Sequence, residues 1–435
     1  SLQTLLVCLA VAILLLMLGG EGRLFFMTED WQIRDAVLRD MGTHRWPFDY
    51  WLDGHSQILR APLGMYLVPA LLGAGSQIAR DWALLAHNAL VLGLLLAAGS
   101  TLFADRRSRI VALIVFMMFS GLDVIGNGLR MLLSGVADWD HLERWADNYQ
   151  YSAHITQLFW VPQHGLAGWT CALGYLLWRR GLAPIGIFGA TIPLVALWSP
   201  LAILGAIPFA VFAGLTVLFN KAWGGRDVLL CGLATATAIP ALLYLQVDAA
   251  AVGSGFRPPA PAIYALILLL EVLPFLMPLW RERAAQSDRA TLLIVAGCLF
   301  AMPAWAIGAS TDFQMRASIM PLAILAIAFA GWVLRIERQH LKVVAVGLLA
   351  LGSVTGAAEI VRAVRLEPSP PPLCSLVGAW TRQSGFVVPY ASYFADRNAM
   401  PGALVPGASH FDRAGADDPA HCWRKPWRTS RSISS

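Results

Sequence analysis

The sequence predicts an all-α polytopic membrane protein of about 11 transmembrane helices, with juxtamembrane helices in its first outer loop and a small periplasmic cap at its C-terminus. Three observations lead there. Of 435 residues, 57% are hydrophobic and only 14% are charged, with a mean hydropathy of +0.60; soluble domains carry about 25% charged residues. The apolar residues gather into separate runs of membrane-spanning length. The basic residues gather into tight clusters between those runs. This composition excludes a cytosolic enzyme, a disordered chain and a nucleic-acid module.

The first run, Leu2–Leu18, reads as an uncleaved anchor, because no basic segment precedes it and no A-x-A site follows. Further runs occupy 82–103, 110–124, 159–178, 185–198, 201–219, 228–247, 262–280, 290–309, 318–333 and 343–360. The stretch 61–74 is apolar too, but it contains Pro62, Gly64 and Pro69. Its length suits a re-entrant or interfacial segment better than a span.

Charge decides between these counts. If 61–74 does not cross and the N-terminus is cytoplasmic, the clusters Arg106–Arg107–Arg109, Arg179–Arg180, Lys221 with Arg226, Arg281–Arg283–Arg289 and Arg335–Arg338–Lys342 all fall inside. That is the bias cytoplasmic loops carry. Segments 19–81 and 126–157, the link 311–316 and the tail 361–435 then face outward. The chain divides into a transmembrane domain, 1–360, and a cap, 361–435. The location implied is a bacterial inner membrane with the polar mass in the periplasm. No internal repeat of the kind found in many secondary transporters is visible.

Cys8, Cys171, Cys231 and Cys298 lie in predicted spans, where Cys behaves as a small apolar residue. Cys374 and Cys422 lie in the tail. An oxidising compartment allows them to pair, the alternative being two free thiols. The tail opens with PSPPPL after Glu367. It shows little helical period and reads as a loop-rich cap with a Pro-rich hinge.

In the first outer loop Ile33, Val37 and Leu38 recur at helical spacing. Thr28 or Asp30 can cap this amphipathic helix, and Gly42 ends it. A second short helix begins after Arg60-Ala61-Pro62. In this loop Glu29-Asp30 opens the segment, Arg39-Asp40-Met41 closes its helix, Trp46-Pro47 follows, and Arg60-Ala61-Pro62 with Tyr66 forms a second motif. The pattern resembles the first loop of the GT-C superfamily of integral membrane glycosyltransferases over residues 1–110. Trp31 departs from it, standing where a second acidic residue is usual, as does Arg60, standing where some relatives have Lys. The phrases FSGLD, FWVPQHGLAGW and DFQMRAS are similar to those of type IV pilin arabinofuranosyltransferases.

The resemblance implies transfer of a sugar, D-arabinofuranose on the closer likeness, from a polyprenyl-phosphate donor to a periplasmic acceptor. The acceptor would be a Ser or Thr hydroxyl of type IV pilin, or else lipid A or a cell-envelope polysaccharide. It implies Asp30 as the acidic group that activates or orients the acceptor, a role that needs a carboxylate within hydrogen-bond reach; capping its helix is the alternative. Asp35 turns about 140° away on that helix and is a secondary acceptor-binding candidate, or a partner for a nearby Arg. The leaving lipid phosphate calls for guanidinium forks. Arg316 is the first candidate and Arg60 and Arg34 follow; the competing role for Arg316 is a headgroup anchor.

Asp123 sits near the end of a span, where a charge is costly; it either contacts the acceptor or pairs with Asn127 or Arg130. His154, Gln163 and His164 flank the start of a span and can hydrogen-bond sugar hydroxyls or phosphate. No HExxH or CxxC motif argues for zinc, and Asp138 and Asp140 either bind a divalent cation or form a solvated acidic loop. Glu359 falls near the end of a span and reads as exposed. Glu271 falls nearer the middle of a span and has no evident partner. It is the main feature favouring a transporter or flippase of lipid-linked sugars; a non-catalytic envelope assembly factor is a third reading.

Overall fold

The computed structural model describes residues 1–52, 54–147, 149–281, 289–308, 311–384, 393–405, 411–415 and 419–425. Arg283 of the fourth basic cluster lies outside the described residues. The protein is largely α-helical and has the build of a multi-pass membrane protein. Its first element, α1 (Leu2–Leu18), is apolar from Leu5 onward and is opened by Ser1, whose hydroxyl accepts from the Thr4 amide. Three elements follow before the next long helix: α2 (Trp31–Thr43), the hairpin β1 (Phe48–Leu52) and β2 (His55–Leu59), and α3 (Gly64–Leu72). Nine residues of α3 rise only about 14 Å, less than half a hydrocarbon core. Gly42 does not end α2, which runs on through Thr43.

The body continues with α4 (Gln77–Gly99), α5 (Arg106–Met117), α6 (Asp123–Ser134), α7 (His154–Trp160) and α8 (Pro162–Arg179). Next come α9 (Ile185–Leu194), α10 (Pro200–Phe219) and α11 (Gly225–Gln246). Strand β3 (Ser254–Phe256) pairs antiparallel with β4 (Trp305–Ile307). Between them lie α12 (Pro261–Ile267), a π-turn, α13 (Leu273–Arg281) and α14 (Arg289–Ala301). The chain closes with α15 (Asp312–Ala317), α16 (Ile319–Val333), α17 (Gln339–Arg365), α18 (Leu376–Ser384), β5 (Phe394–Asp396) and β6 (Asp412–Ala414).

Among the described residues, 5 helical stretches are long and apolar enough to cross a membrane: Gln77–Leu102, Pro200–Phe219, Gly225–Gln246, Pro261–Arg281 and Gln339–Arg365. Leu2–Leu18, Ile185–Leu194, Arg289–Ala304 and Ile319–Val333 are shorter apolar helices. The count is below the expected eleven because several apolar runs are broken. Run 110–124 divides between α5 and α6 at the non-helical Phe119–Leu122 turn. Run 159–178 divides at Pro162, which lacks the N–H that would carry α7 onward and instead starts α8. Run 185–198 yields only the ten residues of α9.

Two apolar cores result. One fills the helical body around Phe119, Phe159, Phe275 and Phe329. The other, around Trp31, Tyr50, Ile58, Leu376 and Phe394, joins the first loop to the tail. Strands of both segments form one sheet in the order β5-β2-β1-β6. The β1–β2 register pairs Tyr50 with Gln57, and Gly54 takes a φ of +81° at the turn. β6 runs parallel to β1, with Phe48 opposite Asp412; β5 runs antiparallel to β2, with Gln57 opposite Asp396. Asp49, buried on β1, receives Arg397 at 2.9 Å and Arg413 at 3.4 Å from the tail. The tail is therefore interleaved with the first loop.

Hydrogen bonds reinforce this union. The PSPPPL segment is docked: Ser369 bonds both the amide and the carbonyl of Met27, and Arg23 donates to the Pro370 carbonyl. Cys374 and Cys422 form a disulfide across 48 residues. A loop of that length contributes about 4 kcal/mol by chain entropy. Asp40 of α2 accepts from the Tyr50 hydroxyl at 2.9 Å and from the Leu376 amide, at the start of α18, at 2.8 Å. Burial pushes its pKa up to about 6, against the pull of those two donors. It is thus ionised at neutral pH, and its hydrogen bonds are charge-assisted. Asp40→Ala orphans two buried donors and is expected to cost about 2–5 kcal/mol. Thermal unfolding and limited proteolysis of the tail check this; an unchanged melting temperature with a protected tail would contradict it.

Candidate functional site

One cavity of about 220 Å³ opens where the first loop, the tail and two helix starts meet. Helix α2 supplies Asp30, Ile33, Arg34 and Val37, four positions on one helical face. Leu63 and Tyr66 enter from the start of α3, and Gln163 and His164 from the start of α8. Asp312 and Arg316 enter from α15. The tail closes the cavity with Trp380, Gln383 and Tyr393. Ala61 and Pro62 complete the wall.

The polar groups are arranged in two matching pairs. Arg34 meets Asp30 at 3.1 Å and Arg316 meets Asp312 at 3.1 Å, each across one helical turn. Asp30 occupies the N-cap position of α2 but makes no capping hydrogen bond. Its side chain is 41% exposed, the most accessible of these charges. Burial alone would lower the pKa of Arg34, but Tyr66, Asp30 and Tyr393 outweigh it and the net shift is upward. For Arg316, Asp312 and Tyr393 likewise outweigh burial and the repulsion of Arg34. Both guanidinium groups stay charged. Their Nε atoms, and Gln163 Oε1, are buried without a hydrogen-bond partner among the described residues. His164 Nδ1 lies 2.8 Å from Ser199 Oγ, which also caps α10 through the Ala202 amide. The cavity thus offers two held guanidinium forks, one accessible carboxylate and neutral polar groups. Each guanidinium is paired with a carboxylate and keeps an Nε–H that can still donate.

Of the residues singled out in the sequence, Asp30, Arg34, Gln163, His164 and Arg316 come together here. Four others do not. Asp35 is buried against Arg23 at 2.9 Å, and Arg23 also holds Asp81 at 2.5 Å. Burial raises the Asp35 pKa and Arg23 opposes it. The Asp123 carboxylate accepts from Ser120 at 2.8 Å and Thr355 at 2.7 Å; of the expected partners, Asn127 reaches only its backbone carbonyl, at 3.4 Å, and Arg130 donates to the Arg144 carbonyl. His154 is buried among Phe116, Phe119 and Trp169, its Nδ1 2.5 Å from the Phe116 carbonyl. Arg60 does not line the cavity; its backbone amide donates to the Tyr393 carbonyl at 2.6 Å, and burial lowers its pKa against the charges of Asp248 and Tyr244.

Two acids of the long apolar helices also differ from expectation. Glu359 is buried, taking Trp160 Nε1 at 3.0 Å and Arg362 at 3.2 Å. Glu271 has a partner, Trp145 Nε1 at 3.0 Å. Asp138 accepts from the His141 amide in a turn. Among the described residues no three His, Cys, Asp or Glu side chains converge as a metal site. Sequence reasoning passed over Asp312, Ser199, Trp380, Gln383 and Tyr393. Asp312 was within reach, four residues before Arg316; the tail residues gave no local signal. No protein-family model, curated protein or solved structure matches the chain.

Substitution separates the role of Asp30 from that of Asp35. Asp30→Asn weakens a part-buried i,i+4 pair but leaves an amide oxygen that can still accept from Arg34, and should cost about 1 kcal/mol. Arg23→Ala strands two carboxylates, one fully buried, and should cost about 3–5 kcal/mol. Denaturation of the purified variants reads both; equal losses would refute the division between site and scaffold.

Proposed function

We propose that this chain is a membrane glycosyltransferase of the GT-C type that uses a sugar carried on a polyprenyl phosphate. The observation that carries the reading is the convergence of Asp30 with Arg34 and Arg316 in one pocket. The two guanidinium groups receive the lipid phosphate, whose negative charge grows as the sugar leaves. Asp30, held by Arg34 but open to solvent, accepts the proton of the attacking hydroxyl. Gln163 and His164 orient the sugar hydroxyls. Tyr393 and Trp380 bring the tail over the pocket, which gives it a part in choosing the acceptor.

The membrane geometry is in keeping with this reading. Helix α4 rises about 34 Å. Its first turn, at Arg80 and Asp81, packs beside the first loop, and its last turn lies near the basic cluster of α5. Arg179, Arg180 and Arg335, from two basic loops, line a single small cavity. We place that end in the cytoplasm and the pocket in the periplasm of a bacterial inner membrane. D-Arabinofuranose is the proposed sugar and a pilin Ser or Thr the proposed acceptor, with lipid A or an envelope polysaccharide as the other acceptor class.

The test is mass spectrometry of envelope glycoproteins and glycolipids from a deletion strain complemented with wild type, Asp30→Asn or Arg316→Gln. Wild type should restore a pentose-sized mass increment. Asp30→Asn should lower transfer by about 10²–10⁴-fold. A hexose increment would overturn the sugar assignment. Full transfer by Asp30→Asn would overturn the catalytic one. Flipping of a labelled lipid-linked sugar by the protein in liposomes, without transfer, would favour the transporter.

A further inference from the structure

A second cavity, of about 370 Å³, lies at the far end of α4 from the polar pocket and is bounded by α1, α4, α5, α8 and α16. Its walls are mostly apolar, with Leu96 on α4, Leu113 on α5 and Trp169 on α8, and Ser1, Gln3, Thr4 and Ser100 add polar groups. Its lining covers α4 from Leu92 to Gly99, a rise of about 10 Å. Arg106 and Arg109, in the first turn of α5, stand at one end of it. Arg109 is fixed there by donating to the Phe103 carbonyl at 3.1 Å and the Ala104 carbonyl at 3.2 Å. Among the described residues neither arginine pairs with a carboxylate. The nearest acid in sequence, Asp105, is engaged by the Ser108 amide at 3.0 Å and hydroxyl at 2.6 Å.

We infer that this cavity is a binding site for an anionic phospholipid of the basic-loop leaflet, with an acyl chain in the groove and the phosphate on Arg106 and Arg109. Charge decides the class of lipid. An apolar slot alone would take any acyl chain. Two arginines with no opposing carboxylate at its end favour a headgroup with net negative charge. The groove shares no lining residue with the polar pocket, so this inference stands apart from the transferase reading.

The experiment is native mass spectrometry of the detergent-purified full chain, titrated with phosphatidylglycerol or phosphatidylcholine. Wild type should retain phosphatidylglycerol in preference. Arg106→Gln should lower that retention about fivefold, the weight of one basic residue against an anionic headgroup, and leave phosphatidylcholine unchanged. Gly99→Leu should lower retention of both lipids. Gly99 lines the groove, and a Cβ there meets only Leu173 Cδ1, at an ordinary contact distance of 3.9 Å, so the substitution starts without a backbone clash. Melting temperatures establish that both variants are folded. Equal retention of the two lipids by wild type, or undiminished phosphatidylglycerol on folded Arg106→Gln, would overturn the inference.

Discussion

Helix α2 is held by two buried carboxylates, and the rest of the polar face depends on how they are satisfied. An ionised carboxylate removed from water needs a cation or several donors within reach. Asp35 finds Arg23, which reaches it from the short turn that follows α1 while also holding Asp81 on α4. Asp40 finds Tyr50 on the hairpin and the first amide of α18. These contacts leave α2 one rotational setting. In that setting Asp30, Ile33, Arg34 and Val37 face the cavity. The accessible carboxylate is therefore positioned by two inaccessible ones on the same helix.

This dependence explains which features were legible in the sequence. The long apolar helices were plain, since hydropathy alone separates α4, α10, α11 and α17 from what surrounds them. Breaks within apolar runs were harder, although Pro162 and the Phe119–Leu122 turn carry visible cues. The four-stranded sheet was out of reach. Its strands are three to five residues long, and two of them come from a tail more than three hundred residues away. No periodicity can report a pairing whose two sides are each that short and that remote.

The site was legible where chemistry and local spacing agree. Asp30 with Arg34, and Gln163 with His164, are near neighbours in sequence, and each pair enters the cavity together. Asp35, Asp123 and His154 looked equally functional, because a polar residue in apolar surroundings needs a partner in either case. The sequence does not say whether that partner is a ligand or another buried group. Arg23, Thr355 and the Phe116 carbonyl turned out to be the partners. Tyr393 shows the reverse failure: an ordinary tail residue becomes part of the cavity wall only once the tail is folded against the first loop.

The central claim is that Arg34 and Arg316 form one phosphate site beside Asp30. Cryo-electron microscopy of the full chain in a nanodisc, saturated with a polyprenyl phosphate, tests it most directly. The phosphate density should lie within hydrogen-bond distance of both guanidinium groups, with the isoprenoid tail leading from the cavity into the bilayer. A lipid phosphate bound elsewhere on the protein, with the cavity empty at saturation, would contradict the claim.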